Sequence, residues 1–193
     1  IEDIDREVQR VFKSEFEITS QGNKVPVLDI FSIQRFAEYM KTWKYTDTKN
    51  TVQLPFIAIV REPVKRGTNL GGTYNIASIP KFNLWRRPIL KNGKKSVEYY
   101  RIPQPVNIDI PYTVHFYSEK QRDVNKMDEL MLHQFRASQY YVFPNNHCMP
   151  LKMDNMDDNS QLSDLESRRF YHKAYTLTLH GYLLREEDFE KLS

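Results

Sequence analysis

The groups able to catalyse or hold a metal in this chain are five histidines, one cysteine and 25 carboxylates. Cys148 directly follows His147, and neighbours in sequence rarely present both side chains to one substrate, so an inert free thiol is expected. A lone cysteine also excludes an internal disulfide and a four-cysteine zinc site. His172 and His180 fall on one face of a predicted strand, but at strand rise they stand about 26 Å apart and cannot share an ion. His115 and His133 could meet only through folding, and nothing in their spacing specifies it. Asp109, Asp123, Asp128 and Glu129 are candidate acid–base carboxylates that nothing singles out from the other acids. Gly67 and Gly72 have P-loop spacing, yet Thr73 stands where that motif needs its lysine. No G-x-S-x-G elbow occurs. The expectation is a protein that is not an enzyme, with no cofactor and no metal.

Charge distribution says more. Between Arg61 and Arg101 stand ten basic residues against Glu62 and Glu98, a segment of +8. The chain as a whole is +3, so the remainder is −5. The basic segment suits docking on an acidic surface of another copy, or on nucleic acid; lysines that guard an edge strand from aggregation are the plain alternative. Separation of charge within one chain favours head-to-tail contact between copies, which is heterologous and closes into rings.

The elements that would position these groups follow from hydrophobic period. Ile1, Ile4, Val8, Val11, Phe12 and Phe16 predict an amphipathic helix over 2–16, with Glu2, Asp3 and Asp5 in its first turn. Val25 to Leu28 reads as a short extended piece. Ser32 caps a second helix with Ile33, Phe36, Ala37, Met40 and Trp43 on one face. Val52 to Val60 reads as a strand buried on both faces, with Pro55 implying an edge or bulge. Residues 65–80 read as a loop.

Asn92-Gly93 is a type I′ turn signal. It predicts a hairpin arm at about 84–102, with Leu84–Leu90 and Lys95–Ile102 as its strands. Period two predicts a strand from Val106 to Phe116 and another over 168–184. A helix is predicted at about 120–136, carrying Val124, Met127, Leu130, Met131 and Phe135, and an exposed acidic loop at about 154–166. The fold class is therefore α+β: one domain over 1–193, a mixed or antiparallel sheet flanked by two or three helices, and a long protruding β-hairpin. A length of 193 residues and 23.1 kDa suits that. No apolar run nears the roughly 20 residues of a membrane helix, so no membrane partner is expected. The charged opening residues do not resemble a signal peptide.

Two segments resemble a known family. Pro111 to Phe135, PYTVHFYSEKQRDVNKMDELMLHQF, sends a strand straight into a helix, and Arg168 to Leu184, RRFYHKAYTLTLHGYLL, joins paired arginines to a long strand. Together with the upstream helix and the LPFIAIV strand, these are similar to the tail-completion and tail-terminator proteins of tailed bacteriophages, the sheath-stabilising neck proteins. The resemblance covers about residues 25–185. It implies a non-enzymatic structural virion protein in the tail or neck, assembled in the host bacterial cytoplasm. Its copies would form a homo-oligomeric ring, a hexamer or alternatively a dodecamer, at the head–tail junction. The ring would end tail polymerisation, meet the connector above and the tail tube or sheath below, and let genomic DNA pass through its lumen. Within that expectation Arg86, Arg87, Lys91, Lys94 and Lys95 are the candidate subunit-interface residues, with lumen-facing DNA contact as the variant. A nucleic-acid-binding module using the basic hairpin is the alternative from another class.

Overall fold

The computed structural model describes residues 1–45, 54–67, 82–91, 93–160, 170–184, 187 and 189–192. It divides into two compact units, Ile1–Val64 with Ile110–Leu179, and Lys65–Asp109 with His180–Ser193. The fold is α+β, with mixed and antiparallel sheets and, among the described residues, three α-helices.

In chain order, the first unit holds α1 (Glu2–Ser14), β1 (Thr19–Ser20), β2 (Asn23–Lys24), β3 (Phe31–Ser32), α2 (Ile33–Tyr45) and β4 (Phe56–Arg61). The second unit holds β5 (Lys65–Arg66), β6 (Phe82–Lys91) and β7 (Lys94–Pro103). Strand β8 (Val106–Ser118) starts in the second unit and ends in the first. The first unit continues with α3 (Gln121–Gln134), β9 (Gln139–Val142), a 3-10 turn at Pro144–Asn146 and β10 (Met149–Asp158). Strand β11 (Tyr171–Leu183) runs from the first unit into the second, which closes with β12 (Glu190–Leu192).

The main sheet has the order β3-β4-β8-β11-β10-β9, with β5 pairing β8 near its start. Within the first unit its two faces are covered by different helices. Arg61 and Tyr112 are register partners on β4 and β8, and both bond Asp5 of α1. Ala58 pairs with His115 on the opposite face, where Phe36 of α2 stacks on the His115 ring at 4.6 Å. Helix on both faces is why Phe56 to Val60 is buried at every position. Phe12 stacks on Phe16, which meets Phe135 beyond the end of α3, so the predicted apolar faces of α1 and α3 join in one core.

The predicted helices, the hairpin and both long strands are present, with ends shifted by a few residues. Several details differ. Asp154, Asp157 and Asp158 belong to β10 and not to a loop; residues 161–169 of that expected loop lie outside the described residues. Pro55 precedes β4, so the strand needs neither bulge nor edge position to hold it. On α2 the half-buried face is Phe36, Tyr39 and Met40, packed on Phe56, Ala58 and Tyr117, whereas Ile33 is exposed. Val106 and Leu183, placed on buried faces by the pattern, are exposed. Of the expected loop at 65–80, Lys65 and Arg66 form β5, and residues from 68 onward are not described.

Candidate assembly surface

The hairpin forms as its turn signal requires. Strands β6 and β7 pair antiparallel from Phe82↔Pro103 to Lys91↔Lys94. Gly93 takes φ +75°, the left-handed conformation glycine adopts without penalty. Strand β12 pairs along β7 and completes a three-stranded sheet in the order β12-β7-β6.

Because cross-strand partners share a face, the register sorts the basic residues into two sets. Arg86 (opposite Tyr99) and Lys95 (opposite Leu90) belong to one face. Arg87 (opposite Glu98) and the partners Lys91 and Lys94 belong to the other. Arg86, Arg87, Lys94 and Lys95 are exposed. The five candidates thus lie in one hairpin but do not form one cluster.

The second face is internally satisfied near its base. Tyr100 donates to Glu98 Oε2 at 2.9 Å, and Lys191 of β12 pairs with Glu98. The Lys191 and Tyr100 bonds hold the Glu98 carboxyl below the usual glutamate range. Trp85 and Tyr100 lie with ring centroids 5.7 Å apart.

The first face is different. Phe82, Leu84, Leu90, Val97, Tyr99 and Leu192 are all exposed on it, Leu90 at 76% and Leu84 at 57%. Arg101 is the exception to its openness: its guanidinium lies 3.9 Å over the Phe82 ring and 3.4 Å from Glu190. A group of exposed apolar side chains on one sheet face, with Arg86 set among them between Leu84 and Pro88 and Lys95 opposite Leu90, is the feature by which interaction surfaces are recognised. The charge pattern of the hairpin alone does not show these apolar side chains. Their signal was in the sequence, since Leu84, Arg86, Pro88 and Leu90 stand two apart and share a face.

The chemistry-bearing residues fall elsewhere and separately. His115 and His172 meet at 2.9 Å, Nδ1 to Nε2, in a stack with Tyr117 and Phe36. His133 contacts Arg136 instead of His115. His180 Nδ1 lies 2.6 Å from Asp109 Oδ1. Asp123 is buried and accepts from Ser20 Oγ at 2.6 Å, while Asp128 accepts from the Tyr175 hydroxyl at 2.6 Å. Asp109, Asp123 and Asp128 thus each bond a different partner. Among the described residues no three histidines, cysteines or acids gather as metal ligands, and no helix is long and apolar enough to cross a membrane. No protein-family model matches the chain, and comparison with curated proteins finds no match.

Proposed function

We propose that this chain is a structural subunit that assembles with copies of itself into a ring at the head–tail junction of a tailed bacteriophage, ending or stabilising the tail while DNA passes through. The observation that carries the assembly is the exposed apolar row of the hairpin sheet, Leu84, Leu90, Val97, Tyr99 and Leu192 with Arg86 and Lys95. A row of this kind loses solvent-exposed apolar area when a partner covers it, at roughly 25 cal/mol per Å². The place of action rests on the resemblance of Pro111–Phe135 and Arg168–Leu184. The strand-to-helix succession of the first segment corresponds to β8 entering α3 across Glu119 and Lys120.

The test is mass in solution by light scattering on a gel-filtration peak, with negative-stain images of the same fraction. Closed particles at a six-fold or twelve-fold multiple of 23.1 kDa support the reading. A chain that remains at 23.1 kDa across concentration counts against it.

The second reading, DNA contact through the hairpin, is favoured by the exposure of Arg87 and Lys94 together with Trp85 on the other face. It requires duplex binding whose affinity falls steeply with salt, the logarithmic slope being about −0.9 per phosphate neutralised. Binding without that slope removes it.

A further inference from the structure

Resting on the second reading, nucleic-acid contact through the hairpin, we propose that the face of Trp85, Arg87, Lys91 and Lys94 takes single-stranded nucleic acid, with an unpaired base stacked on the Trp85 indole. The register builds this face in rows. Trp85 and Tyr100 are cross-strand partners, with ring centroids 5.7 Å apart and planes at 46°. Lys191 of β12 stands opposite Tyr100 on its other side. Tyr100 is half-buried and donates to Glu98, so its ring is held. Trp85 is 47% exposed, and among the described residues no strand pairs with β6 beyond it. One ring is thus fixed, and the other lies open beside it.

The cations of this face outnumber its acids. By register it carries Arg87, Lys91, Lys94 and Lys191 against one carboxylate, Glu98. That carboxylate is already bonded by Lys191 and Tyr100. Arg87 acts on it only through its charge from across the strand pair, and Lys94 forms no ion pair among the described residues. Lys91 and Lys94 are direct cross-strand partners, an arrangement of like charges that works against the hairpin until an anion lies over it. A polyanion is therefore the complementary partner. Its bases must be unpaired to use the indole, because a duplex keeps their faces stacked inside. Sites for single strands combine these two features, cations along the backbone and aromatic rings under the bases. Lysines whose only role is to keep a strand edge soluble would not need an open tryptophan beside them. On the opposite face Arg101 pairs with Glu190, which leaves Arg86 and Lys95, one cation fewer, among aliphatic side chains.

Fluorescence anisotropy tests this with two end-labelled probes, a dT oligonucleotide of about 16 nucleotides and a duplex of equal length. Trp85→Ala should weaken single-strand binding about tenfold, within the range of one lost base stack, and leave duplex binding as it was. Trp85→Phe keeps a ring and should restore most of the single-strand affinity. Arg87→Gln with Lys94→Gln should weaken both probes and lower the logarithmic salt slope for the single strand by about 1.4, at about 0.7 per phosphate. All three side chains are exposed, so the circular-dichroism spectrum should not change. If Trp85→Ala holds the single strand as the unaltered chain does, stacking is wrong and contact by charge alone stands. If Trp85→Ala weakens both probes equally, the indole serves the hairpin and not a base, and the proposal is overturned. If the unaltered chain binds neither probe at low salt, the proposal and the second reading fail together, and the assembly reading keeps its own test by mass.

Discussion

His115 shows how much a single half-buried ring can report. It stacks on Phe36 and meets the imidazole of His172, with His115 Nδ1 and His172 Nε2 2.9 Å apart. That bond is complete when both rings are neutral, one donating and the other accepting. Burial, and then the proximity of His172, push the His115 pKa down from 6.5 to about 4. An unfolded chain takes up this proton near 6.5, so between 6.5 and about 4 the unfolded state holds more protons than the folded one. Stability from this group is therefore complete above 6.5, falls as pH drops through the window, and falls no further below about 4. The loss is about 3 kcal/mol at most. Urea midpoints measured between pH 7 and 4 should decline, and His115→Gln should flatten the decline; an unchanged slope in that variant would place the acid sensitivity elsewhere. Tyr112 invites a second test at this scale. Its ring is fully buried and its hydroxyl donates to Asp5 Oδ1 at 2.7 Å, while Arg61 holds the other oxygen at 2.6 Å. Tyr112→Phe removes one donor from a carboxylate that keeps its arginine, and should lower stability by about 1–2 kcal/mol. Asp5→Ala leaves the buried hydroxyl without its acceptor and the partly exposed guanidinium without its partner, and should cost more than Tyr112→Phe, about 2–3 kcal/mol. Chemical denaturation ranks the two, and equal losses would contradict this geometry.

At the scale of elements, Gly67 explains itself through packing. It is the first glycine of the failed P-loop match, and β5 brings it against β8: its backbone N–H donates to the Asn107 carbonyl at 2.9 Å. A Cβ at this position would lie 2.9 Å from the Ile108 backbone nitrogen, so any side chain forces one backbone off the other. Gly67→Ala should destabilise by about 1–3 kcal/mol, with faster amide exchange at residues 65–67 and 107–109 as the local signature. A neutral substitution would mean the two strands separate without cost. This is also where legibility from sequence ends. Helices α1 and α3, the hairpin and strands β4, β8 and β11 were readable because period and turn chemistry are local properties. Strands β9 and β10 were not. Beyond Leu151 the β10 sequence is dominated by Asp and Asn, and it is held by its ladder to β11, across a register shift between Met153 and Asn155. The His115–His172 contact was equally hidden, since it depends on β8 and β11 being neighbours in the sheet. The candidate basic residues were visible, and strand alternation separates Arg86 from Arg87, but which of Lys94 and Lys95 joins each of them needed the register of β6 and β7.

For the whole molecule, that division turns a count of positive charges into a directional statement. If copies dock through the apolar row, the charges that matter are those beside it, Arg86 and Lys95, and those behind the sheet matter less. Reversing Arg86 and Lys95 to Glu should abolish assembly, because it changes the charge on the face that carries the exposed apolar side chains. Reversing Arg87 and Lys94 changes the net charge by the same amount on the opposite face, and should leave the mass near that of the unaltered particle. A reading based on DNA contact makes a different demand, because its support is the face that carries Arg87, Lys94 and Trp85. It requires Arg87→Glu/Lys94→Glu to lose more duplex affinity than Arg86→Glu/Lys95→Glu. Light scattering and a salt-resolved DNA titration on the same two proteins therefore separate the mechanisms. Loss of mass confined to Arg86→Glu/Lys95→Glu supports docking by the apolar face. Equal loss of mass in both variants would mean that net charge, and not the exposed row of Leu84, Leu90, Val97 and Tyr99, drives association.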